Sequence, residues 1–328
     1  MQLKEIYQPI EKELNNVAGF LEEFLSESEN ETILKINQFL LEAPGKRIRP
    51  ALVLLSAKAS LNHLSLTNTH QLTSIASAIE LVHLASLIHD DIIDHAVVRH
   101  NKPSVNSKWG QDVSIALGDY LYSKAFELIS SCGNIDILYC ISQATSLMCE
   151  GELAQVCLRE DISMLKKHYL YVIERKTASL FSASCQVGAM ISNRQVAIQK
   201  ALKEYGLNLG IAFQITDDCM DLIGEVKDLG KPPGADLKVG ELTLPVLNLL
   251  SQSKDKDILI SLIKQGDKQS AFFEIKQRFI NSQALIKTKD DIQIYIQKAK
   301  NNLSKIEESV FKRNLFALAD VISERVMS

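Results

Sequence analysis

Residues 80–94 read ELVHLASLIHDDIID, and residues 210–221 read GIAFQITDDCMD. In both stretches an apolar run with residues three and four positions apart ends in the same acidic pattern, Asp-Asp-x-x-Asp. This spacing is typical of α-helices and differs from the strict alternation of strands. The two stretches therefore predict a pair of core helices that each end in a cluster of carboxylates.

The rest of the chain repeats the helical spacing and lacks strand signals. Apolar residues recur at three- and four-residue steps from the N-terminus onward, and alternating β-branched runs bounded by tight turns are missing. Helix breaks are expected at residues 43–45, 99–103, 133–134 and 230–234, and none of them resembles a flexible linker. We predict an all-α fold with one domain over residues 1–328.

Composition excludes several classes of function. The 328 residues are 46% hydrophobic and 23% charged, with a net charge of -4, and no basic run is interleaved with aromatics, so nucleic acid is not an expected partner. The N-terminus lacks the pattern of a secretory signal, and no uninterrupted apolar run approaches the roughly 18 residues of a membrane span. Six cysteines without a CxxC pair predict reduced, buried thiols. We expect a cytoplasmic protein without a transmembrane segment.

The acidic clusters point to a metal and a phosphorylated substrate. On a helix, Asp90 and Asp94 project side by side, as do Asp217 and Asp221. Like charges at this spacing are destabilising, so a bound cation is the natural remedy. Oxygen ligands suit Mg²⁺, which takes its remaining ligands from water and phosphates. The alternative, a solvated helix end, remains open for one such cluster and is less satisfactory for two.

Basic residues supply the complementary charges. Residues 45–50, GKRIRP, place three cations directly after a helix break, where arginine can bind phosphate oxygens through two nitrogens. Residues 99–102 form a second basic patch, and Lys176, Thr177 and Lys231 offer further donors. Many cations in a net-acidic chain predict an anionic substrate, which together with the carboxylates indicates a diphosphate.

Several ordered motifs now carry a family resemblance over nearly the whole chain. They are GKRIRP, ELVHLASLIHDDIID, VNSKWG followed by LGDYLYSKAF, GELAQ, RKTASLF, GIAFQITDDCMD, and LGKPPGADL with TLPVL. The sequence resembles the all-trans polyprenyl diphosphate synthases, particularly the long-chain octaprenyl, heptaprenyl and solanesyl type that makes quinone side chains. The resemblance implies an isoprenoid synthase-type helical bundle around a central active-site cavity, a homodimer, and condensation of an allylic diphosphate with isopentenyl diphosphate.

The resemblance also implies roles for individual residues. Three Mg²⁺ ions would be held by the catalytic carboxylates Asp90, Asp91, Asp94, Asp217 and Asp218, with Asp221 as a further metal ligand. Isopentenyl diphosphate would be bound at Gly45, Lys46, Arg49, His83 and His100. The allylic diphosphate would be bound at Arg99, Lys176, Thr177, Gln214 and Lys231, with Lys176 also catalytic.

Two departures from the family pattern remove positive charge. Relatives commonly carry a pair of arginines where this chain has Arg99-His100, so one fixed cation becomes an imidazole that is only partly charged near neutrality. Many relatives also have a lysine after a glycine in the last phosphate loop, where this chain reads Val239-Gly240-Glu241, with Lys238 as a substitute. Glu241 is not expected to be a ligand.

Product length is predicted from the helix before Asp90. Short-chain relatives place aromatics four and five residues before the first Asp, and this chain has Ser86 and Ala85 there. We expect an open product tunnel, a farnesyl or geranylgeranyl diphosphate primer, and a product longer than farnesyl diphosphate. Close helix packing is the other explanation for two small residues. Remaining alternatives are a geranylgeranyl-type synthase, a subunit of a heteromeric synthase, and a class I terpene cyclase; a long apolar product is compatible with peripheral membrane contact.

Overall fold

The structure of the chain is a computed structural model that describes residues 2–42, 45–61, 69–99, 102–159, 161, 163, 166–192, 195–225, 233–265 and 268–327. It is 83% helical, which confirms the predicted all-α class. The predicted break at residues 133–134 separates two long helices, and Gly133 has a positive φ of 63° there. Breaks at residues 43–45 and 230–234 fall partly outside the described residues.

The helices and strands are numbered in the order in which they occur along the chain. The α-helices are α1 (Leu3–Tyr7), α2 (Glu11–Leu25), α3 (Glu31–Leu41), α4 (Ile48–Ala59), α5 (Thr69–Ile93), α6 (Val105–Trp109), α7 (Gln111–Ser131), α8 (Ile135–Leu158), α9 (Lys166–Ile173), α10 (Ser179–Ser192), α11 (Val196–Ile223), α12 (Ala235–Lys238), α13 (Leu244–Gln252), α14 (Lys256–Ile263), α15 (Gln269–Ile280), α16 (Gln283–Asn302) and α17 (Val310–Met327). Shorter elements are 3₁₀ turns at Gln8–Ile10 and Leu303–Lys305, a π-helical turn at Glu174–Ala178, and strands β1 (Val98–Arg99) and β2 (Lys102–Pro103).

The chain divides by its contacts into two compact units. The first comprises Met1–Thr145, Leu180–Gly206 and Asn302–Leu318, and the second comprises Ser146–Ser179, Leu207–Asn301 and Ala319–Ser328. Helices α8, α11 and α17 each contribute residues to both units. The expectation of a single domain over residues 1–328 stays a prediction.

Helix α5 lies at the centre of the first unit and packs against α2, α4 and α7. It is long and apolar enough to span a membrane, but 72% of its most apolar stretch is buried inside the protein. A helix that is apolar on all sides is expected in a core as well as in a membrane. Its approach to α7 is close, because a Cβ at Gly118 would overlap the ring of His89.

A buried polar network joins three helices of the second unit. Asp291 of α16 accepts a hydrogen bond from Asn248 of α13 at 3.3 Å. It also forms an ion pair with Lys166 of α9 at 2.5 Å. Asn248 also donates to Thr288, one turn before Asp291, at 3.0 Å. Because an unpaired buried carboxylate is costly, this network fixes the three helices in one arrangement.

All six cysteines are free thiols. The prediction that they are buried is confirmed for Cys185 and Cys219 and is wrong for Cys149 and Cys157, which are exposed on α8. Both belong to a side of α8 that also exposes large apolar side chains, among them Tyr139 at 66% and Leu153 at 68%. In this helix, the apolar neighbours of Cys149 and Cys157 in the sequence belong to an exposed apolar face. They therefore did not indicate that the two thiols are buried.

Candidate active site

The first acidic cluster lies where α5 ends. Asp90 and Asp91 are in the last turn, and the amide of Asp94 donates to the carbonyl of Asp90 at 2.8 Å, so helical spacing extends through the cluster. His95 then adopts a φ of 51°, a left-handed conformation that an α-helix cannot continue. Asp90 and Asp94 are half-buried, whereas Asp91 is only 3% exposed.

The charge of Asp91 is balanced by Arg99. Strands β1 and β2 pair in antiparallel orientation, and Arg99 lies opposite Lys102. The Nε and Nη2 atoms of Arg99 each lie 2.7 Å from Oδ1 of Asp91. Hydrogen bonds between charged groups are among the strongest in proteins. Arg99, for which the resemblance implied contact with the allylic diphosphate, is therefore bound to an acidic residue of the cluster in this structure.

Two of the residues assigned to isopentenyl diphosphate meet directly. Arg49 lies in the first turn of α4, after Gly45 and Arg47 have turned the chain through positive φ angles of 60° and 47°. Its Nη1 atom lies 2.9 Å from Nε2 of His83 on α5. The guanidinium group also stacks over the buried ring of Phe181, 4.8 Å from its centroid. Contact with an aromatic face holds an arginine without neutralising it.

A cleft of about 370 Å³ opens beside the same loop. The loop contributes Gly45, Lys46 and Arg47, and helices α1 and α2 with the turn between them form the rest of the wall. The hydroxyl of Tyr7, on α1, donates to the carbonyl of Lys46 at 3.2 Å. Volumes above roughly 300 Å³ are usual for small-ligand sites. The predicted anion-binding loop thus borders an accessible space.

Glu80 is a buried carboxyl group that interacts electrostatically with Arg49 and Arg47. It precedes His83 by one helical turn and is 6% exposed. Burial raises its pKa to about 7, although the charges of Arg49 and Arg47 act to lower it. Burial and the charge of Glu80 also raise the pKa of Tyr7. Glu80 is not among the site residues predicted from the sequence, and its position one turn before His83 was the available signal.

The second acidic cluster lies in the last turns of α11. Asp218 is 5% exposed, and both its oxygens accept short hydrogen bonds: Oδ2 from Tyr169 at 2.6 Å and Oδ1 from Gln214 at 2.7 Å. Burial is the main cause that raises the pKa of Asp218 to about 7, and the charges of Asp217 and Asp221 add to it. The pKa of Tyr169 is raised by burial and by Asp218.

The other two carboxylates of this cluster have different surroundings. The side chain of Asp217 is 48% exposed and lies 3.3 Å from Nη1 of Arg325 on α17. Asp221 is 5% exposed, and its Oδ2 accepts a hydrogen bond from the amide of Asp236 at 3.3 Å. Of the three, only Asp217 has a carboxylate that is open to solvent by about half.

Lys176 and Thr177 lie in the π-helical turn between α9 and α10. Such turns are rare and occur frequently at functional sites. Nζ of Lys176 lies 2.5 Å from Oε2 of Glu152 on α8, and a Cβ at Gly151 would overlap the Lys176 backbone. Thr177 donates to Oε1 of Gln214 at 2.7 Å. Three residues assigned to the allylic diphosphate, Lys176, Thr177 and Gln214, are thus connected to Glu152 or Asp218.

The remaining assigned residues divide into two groups. His100 and Lys231 lie outside the described residues. Ala85 is fully buried in α5, while Ser86 is half-buried and donates to the carbonyl of His83 at 2.8 Å. A small buried residue at position 85 is compatible with a tunnel wall and with close helix packing.

The donor set of each cluster fits a divalent cation. Carboxylate oxygens are the preferred ligands of Mg²⁺. In the second cluster three carboxylates occur within five residues, and burial, with a smaller contribution from the charges of Asp217 and Asp221, raises the pKa of Asp218, so a cation would stabilise its ionised form. Among the described residues, no three acidic, His or Cys side chains are grouped closely enough to hold a metal on their own. The metal site stays a prediction in which water and phosphate supply further ligands.

Residues that sequence reasoning missed are mostly partners of those it named. Tyr169 and Glu152 contact Asp218 and Lys176 from other helices, and Arg159 binds Glu241. These partners are separated in sequence by 24 to 82 positions, and no local pattern connects them. A lone tyrosine or arginine in a helix carries no signal of this kind.

Comparisons with known proteins identify the family of the chain. Residues 30–277 match the model of the family described as Polyprenyl synthetase. The chain is 34% identical to the short chain isoprenyl diphosphate synthase of Methanothermobacter thermautotrophicus, over 93% of this chain and 94% of the relative. It is 36% identical to heptaprenyl diphosphate synthase component 2 of Geobacillus stearothermophilus, over 81% and 82%. Other relatives are named as octaprenyl and geranylgeranyl diphosphate synthases.

Solved structures give the same assignment. A polyprenyl synthase from Caulobacter crescentus, complexed with calcium and isoprenyl diphosphate, is similar with a TM-score of 0.92 and 30% identity, over 98% of this chain and 97% of that one. This similarity confirms the isoprenoid synthase-type fold that the sequence predicted. Fold, motifs and relatives agree, and the chain belongs to the polyprenyl synthetase family as a trans-prenyl diphosphate synthase.

Proposed function

We propose that this synthase elongates farnesyl or geranylgeranyl diphosphate with isopentenyl diphosphate to a long-chain all-trans polyprenyl diphosphate for a quinone side chain. The contact between Arg49 and His83, at 2.9 Å beside the loop of Lys46, carries the two-substrate part of this proposal. A terpene cyclase needs no second diphosphate pocket, so a separate set of cations favours elongation. The long-chain part is supported by Ala85 and Ser86.

Divalent metal is part of the proposal. Mg²⁺ would be held by Asp90, Asp91 and Asp94 and by Asp217, Asp218 and Asp221, with three ions in all. When bound, it would supply a Lewis acid that offsets the negative charge on the departing diphosphate. The similar Caulobacter crescentus protein contains calcium with isoprenyl diphosphate, which supports a divalent ion beside a diphosphate here.

The protein side chains bind and orient the two substrates. Lys46, Arg49 and His83, with Gly45 and His100, hold isopentenyl diphosphate. The allylic diphosphate is held by cations and amide or hydroxyl donors at Arg99, Lys176, Thr177, Gln214 and Lys231. Preorganised donors stabilise charge that develops on the leaving group, and no protein nucleophile is required. Water must be excluded from the reacting groups, because it would capture the allylic cation.

Product length separates the main proposal from a geranylgeranyl-type synthase. A bulky side chain at position 85 or 86 would close a tunnel that runs along α5, and alanine and serine leave it open. The relatives include a short chain enzyme and a heptaprenyl synthase component at comparable identity, so the length of the product must be measured. Both outcomes keep the same chemistry and differ in the number of condensations.

Association with another chain is also proposed. One side of α8 exposes Ile135, Tyr139, Leu153 and Val156, each at least 41% exposed, together with the thiol of Cys149. These positions fall on one face at 100° per residue. An exposed apolar face of this size favours an interface. We propose a homodimer; the similarity to a protein named component 2 favours a heteromeric assembly as the second candidate.

The cellular setting follows from the product and the sequence. We propose a cytoplasmic enzyme with peripheral membrane contact, since a long polyprenyl chain is insoluble in water and must be delivered to a membrane. A fractionation experiment tests this: the enzyme should leave the membrane fraction at high salt without detergent. Retention until detergent is added would contradict the proposal.

One experiment tests the activity and its length class together. The purified protein is incubated with labelled isopentenyl diphosphate and farnesyl or geranylgeranyl diphosphate, with Mg²⁺ or with EDTA, and product lengths are measured. We expect a Mg²⁺-dependent ladder beyond twenty carbons that Asp90→Ala abolishes. The control Asp257→Ala alters an exposed aspartate of α14 and should leave the ladder unchanged.

The outcomes separate the candidates. A ladder that stops at twenty carbons identifies the geranylgeranyl-type alternative. No elongation by folded protein with any primer points to a partner subunit or a cyclase, and hydrocarbon products from geranylgeranyl diphosphate alone identify the cyclase. Ala85→Phe should shorten the longest product, and an unchanged length would remove Ala85 from the tunnel wall.

A further inference from the structure

Glu241, the residue that departs from the family pattern, has a defined set of partners at the C-terminal end of α8. Oε1 accepts hydrogen bonds from Arg159, at 3.1 Å from Nε and 2.8 Å from Nη2. Oε2 accepts a hydrogen bond from the side-chain amide of Gln155. The side chain of Glu241 is 10% exposed and that of Arg159 is 20% exposed. Charged hydrogen bonds shielded from water in this way are strong and directional.

The backbone next to Glu241 reaches the second acidic cluster. The amide of Glu241 donates to the carbonyl of Asp236 at 2.9 Å, and the amide of Asp236 donates to Oδ2 of Asp221 at 3.3 Å. The amide of Gly234 donates to the carbonyl of Asp221 at 2.9 Å. A chain of hydrogen bonds therefore connects Arg159 and Gln155, through Glu241 and the short helix α12, to a carboxylate at the end of α11.

Three residues at the C-terminal end of α8 continue this connection. Glu152 and Gln155 lie three residues apart on the helix, and Arg159 is the first residue after it. Glu152 binds Lys176 in the π-helical turn, while Gln155 and Arg159 bind Glu241. The C-terminal end of α8, with the residue that follows it, thus holds both the segment that carries Lys176 and the segment that contacts Asp221.

We infer that Glu241 is a positioning residue, which clamps α12 to α8 so that the amide of Asp236 orients Asp221 for metal binding. The inference rests on the proposed function, because it takes Asp221 as a ligand of the metal-diphosphate complex. A lysine at position 241 would face Arg159 and repel it, so the negative charge of Glu241 and the arginine directly after α8 form a matched pair. Residues that hydrogen-bond to a metal ligand and hold its orientation influence metal affinity without contacting the metal.

The test combines variants of this pair with two measurements. Glu241→Gln removes the charge, Glu241→Lys reverses it, and Arg159→Glu with Glu241→Lys restores an ion pair in the opposite sense. Glu274→Gln, in an exposed ion pair with Arg278 at 2.7 Å on α15, is the matched control. If Glu241→Lys does not fold, Glu241→Gln and Arg159→Gln carry the test.

The first measurement is amide hydrogen exchange of residues 233–241 in metal-free protein. The second is the Mg²⁺ concentration at half-maximal elongation. We expect faster amide exchange in Glu241→Gln and Glu241→Lys, and a Mg²⁺ midpoint raised about tenfold in Glu241→Lys. The KM for isopentenyl diphosphate should stay unchanged. Both effects should be smaller in the double variant with Arg159→Glu and Glu241→Lys. A purely structural loss would lower kcat with the folded fraction and leave the Mg²⁺ midpoint in place.

Three results would overturn the inference. If both Glu241 variants exchange their amide hydrogens at the wild-type rate, Glu241 does not hold α12 in place. If exchange is faster but the Mg²⁺ midpoint is that of wild type, the contact of Glu241 does not influence metal binding at Asp221. Tighter binding of the allylic diphosphate by Glu241→Lys would make position 241 a direct contact. If the wild-type enzyme elongates no primer, the proposed function fails, and the Mg²⁺ dependence of inorganic diphosphate binding, measured calorimetrically, then judges the inference by the same criteria.

Discussion

The two acidic clusters have the same sequence pattern and different electrostatic surroundings. The most buried carboxylate of the first, Asp91, is paired with the guanidinium of Arg99 at 2.7 Å. The corresponding carboxylate of the second, Asp218, accepts its hydrogen bonds from the neutral groups of Tyr169 and Gln214, and its pKa is raised to about 7. The same motif is stabilised by a cation in one place and by dipoles in the other.

Because of this difference, the two clusters differ in how much negative charge a bound metal ion would offset. A buried carboxylate with a cation partner is already neutralised, whereas hydrogen bonds from neutral donors leave the charge in place. A divalent cation therefore has more electrostatic energy to gain at the second cluster than at Asp91. Substitutions of the supporting residues distinguish the two situations.

The largest effect is expected from Arg99→Ala. It leaves Asp91 buried without its cation and should lower the free energy of unfolding by about 3 kcal/mol, measured by urea denaturation. Arg278→Ala is the matched control, because Arg278 is equally exposed, at 33%, and its partner Glu274 is 47% exposed where the side chain of Asp91 is 5% exposed. Equal losses in both variants would refute the role of burial, and Asp91→Asn with Arg99→Ala should lose less than Arg99→Ala alone.

A somewhat smaller effect is expected from Glu80, a buried carboxyl group that has cations nearby and still has a raised pKa. The folded protein keeps the Glu80 proton up to about pH 7, whereas the unfolded chain releases it near the ordinary value of 4.5. Relative to Glu80→Gln, the free energy of unfolding should therefore fall by about 2–3 kcal/mol as pH rises through this window. Urea denaturation at several pH values measures this, and parallel curves for the two proteins would contradict it.

Tyr169→Phe tests the neutral support of the second cluster. The change removes a hydrogen bond to the buried carboxyl of Asp218 and should cost about 1.5 kcal/mol. Tyr171→Phe, two residues away and 39% exposed, provides the control and should change stability by less than about 0.5 kcal/mol. Thermal or urea unfolding of the two variants gives the comparison, and a harmless Tyr169→Phe would mean that Asp218 does not depend on this donor.

The smallest effect is expected from Arg325→Ala. Arg325 pairs with Asp217, whose side chain is 48% exposed, and such pairs contribute about 0.5 kcal/mol. Salt should abolish the difference from wild type because solvent screens the pair. A loss near that of Arg99→Ala in urea denaturation would show that the two clusters are stabilised alike.

Local spacing predicted the helical class and the shape of each cluster. The amide-to-carbonyl bond between Asp94 and Asp90 has the helical geometry that the i, i+4 pattern implied. The pairing of Arg49 with His83 also agrees with their assignment to one substrate, although the residues are 34 positions apart. These features follow from periodicity and from motifs that the chain shares with a family.

The partners of the clusters were beyond sequence reasoning. Tyr169 is 49 positions from Asp218, and Glu241 is 82 positions from Arg159, so only the folded chain brings them together. A departure from the family pattern marked Glu241 as unusual without indicating a partner. The contacts of His100 and Lys231 stay predictions, since both lie outside the described residues.

The π-helical turn at Glu174–Ala178 amounts to an α-helix with one surplus residue. Deleting one residue would let α9 continue with ordinary hydrogen bonds, and the helix would become more regular. The side chains of α9 would then rotate by about 100° relative to Lys176 and Thr177. Tyr169 and Thr177 now reach Asp218 and Gln214 from the same stretch of chain, and that rotation would separate them. A length change of a single residue thus decides between a regular helix and a connected site.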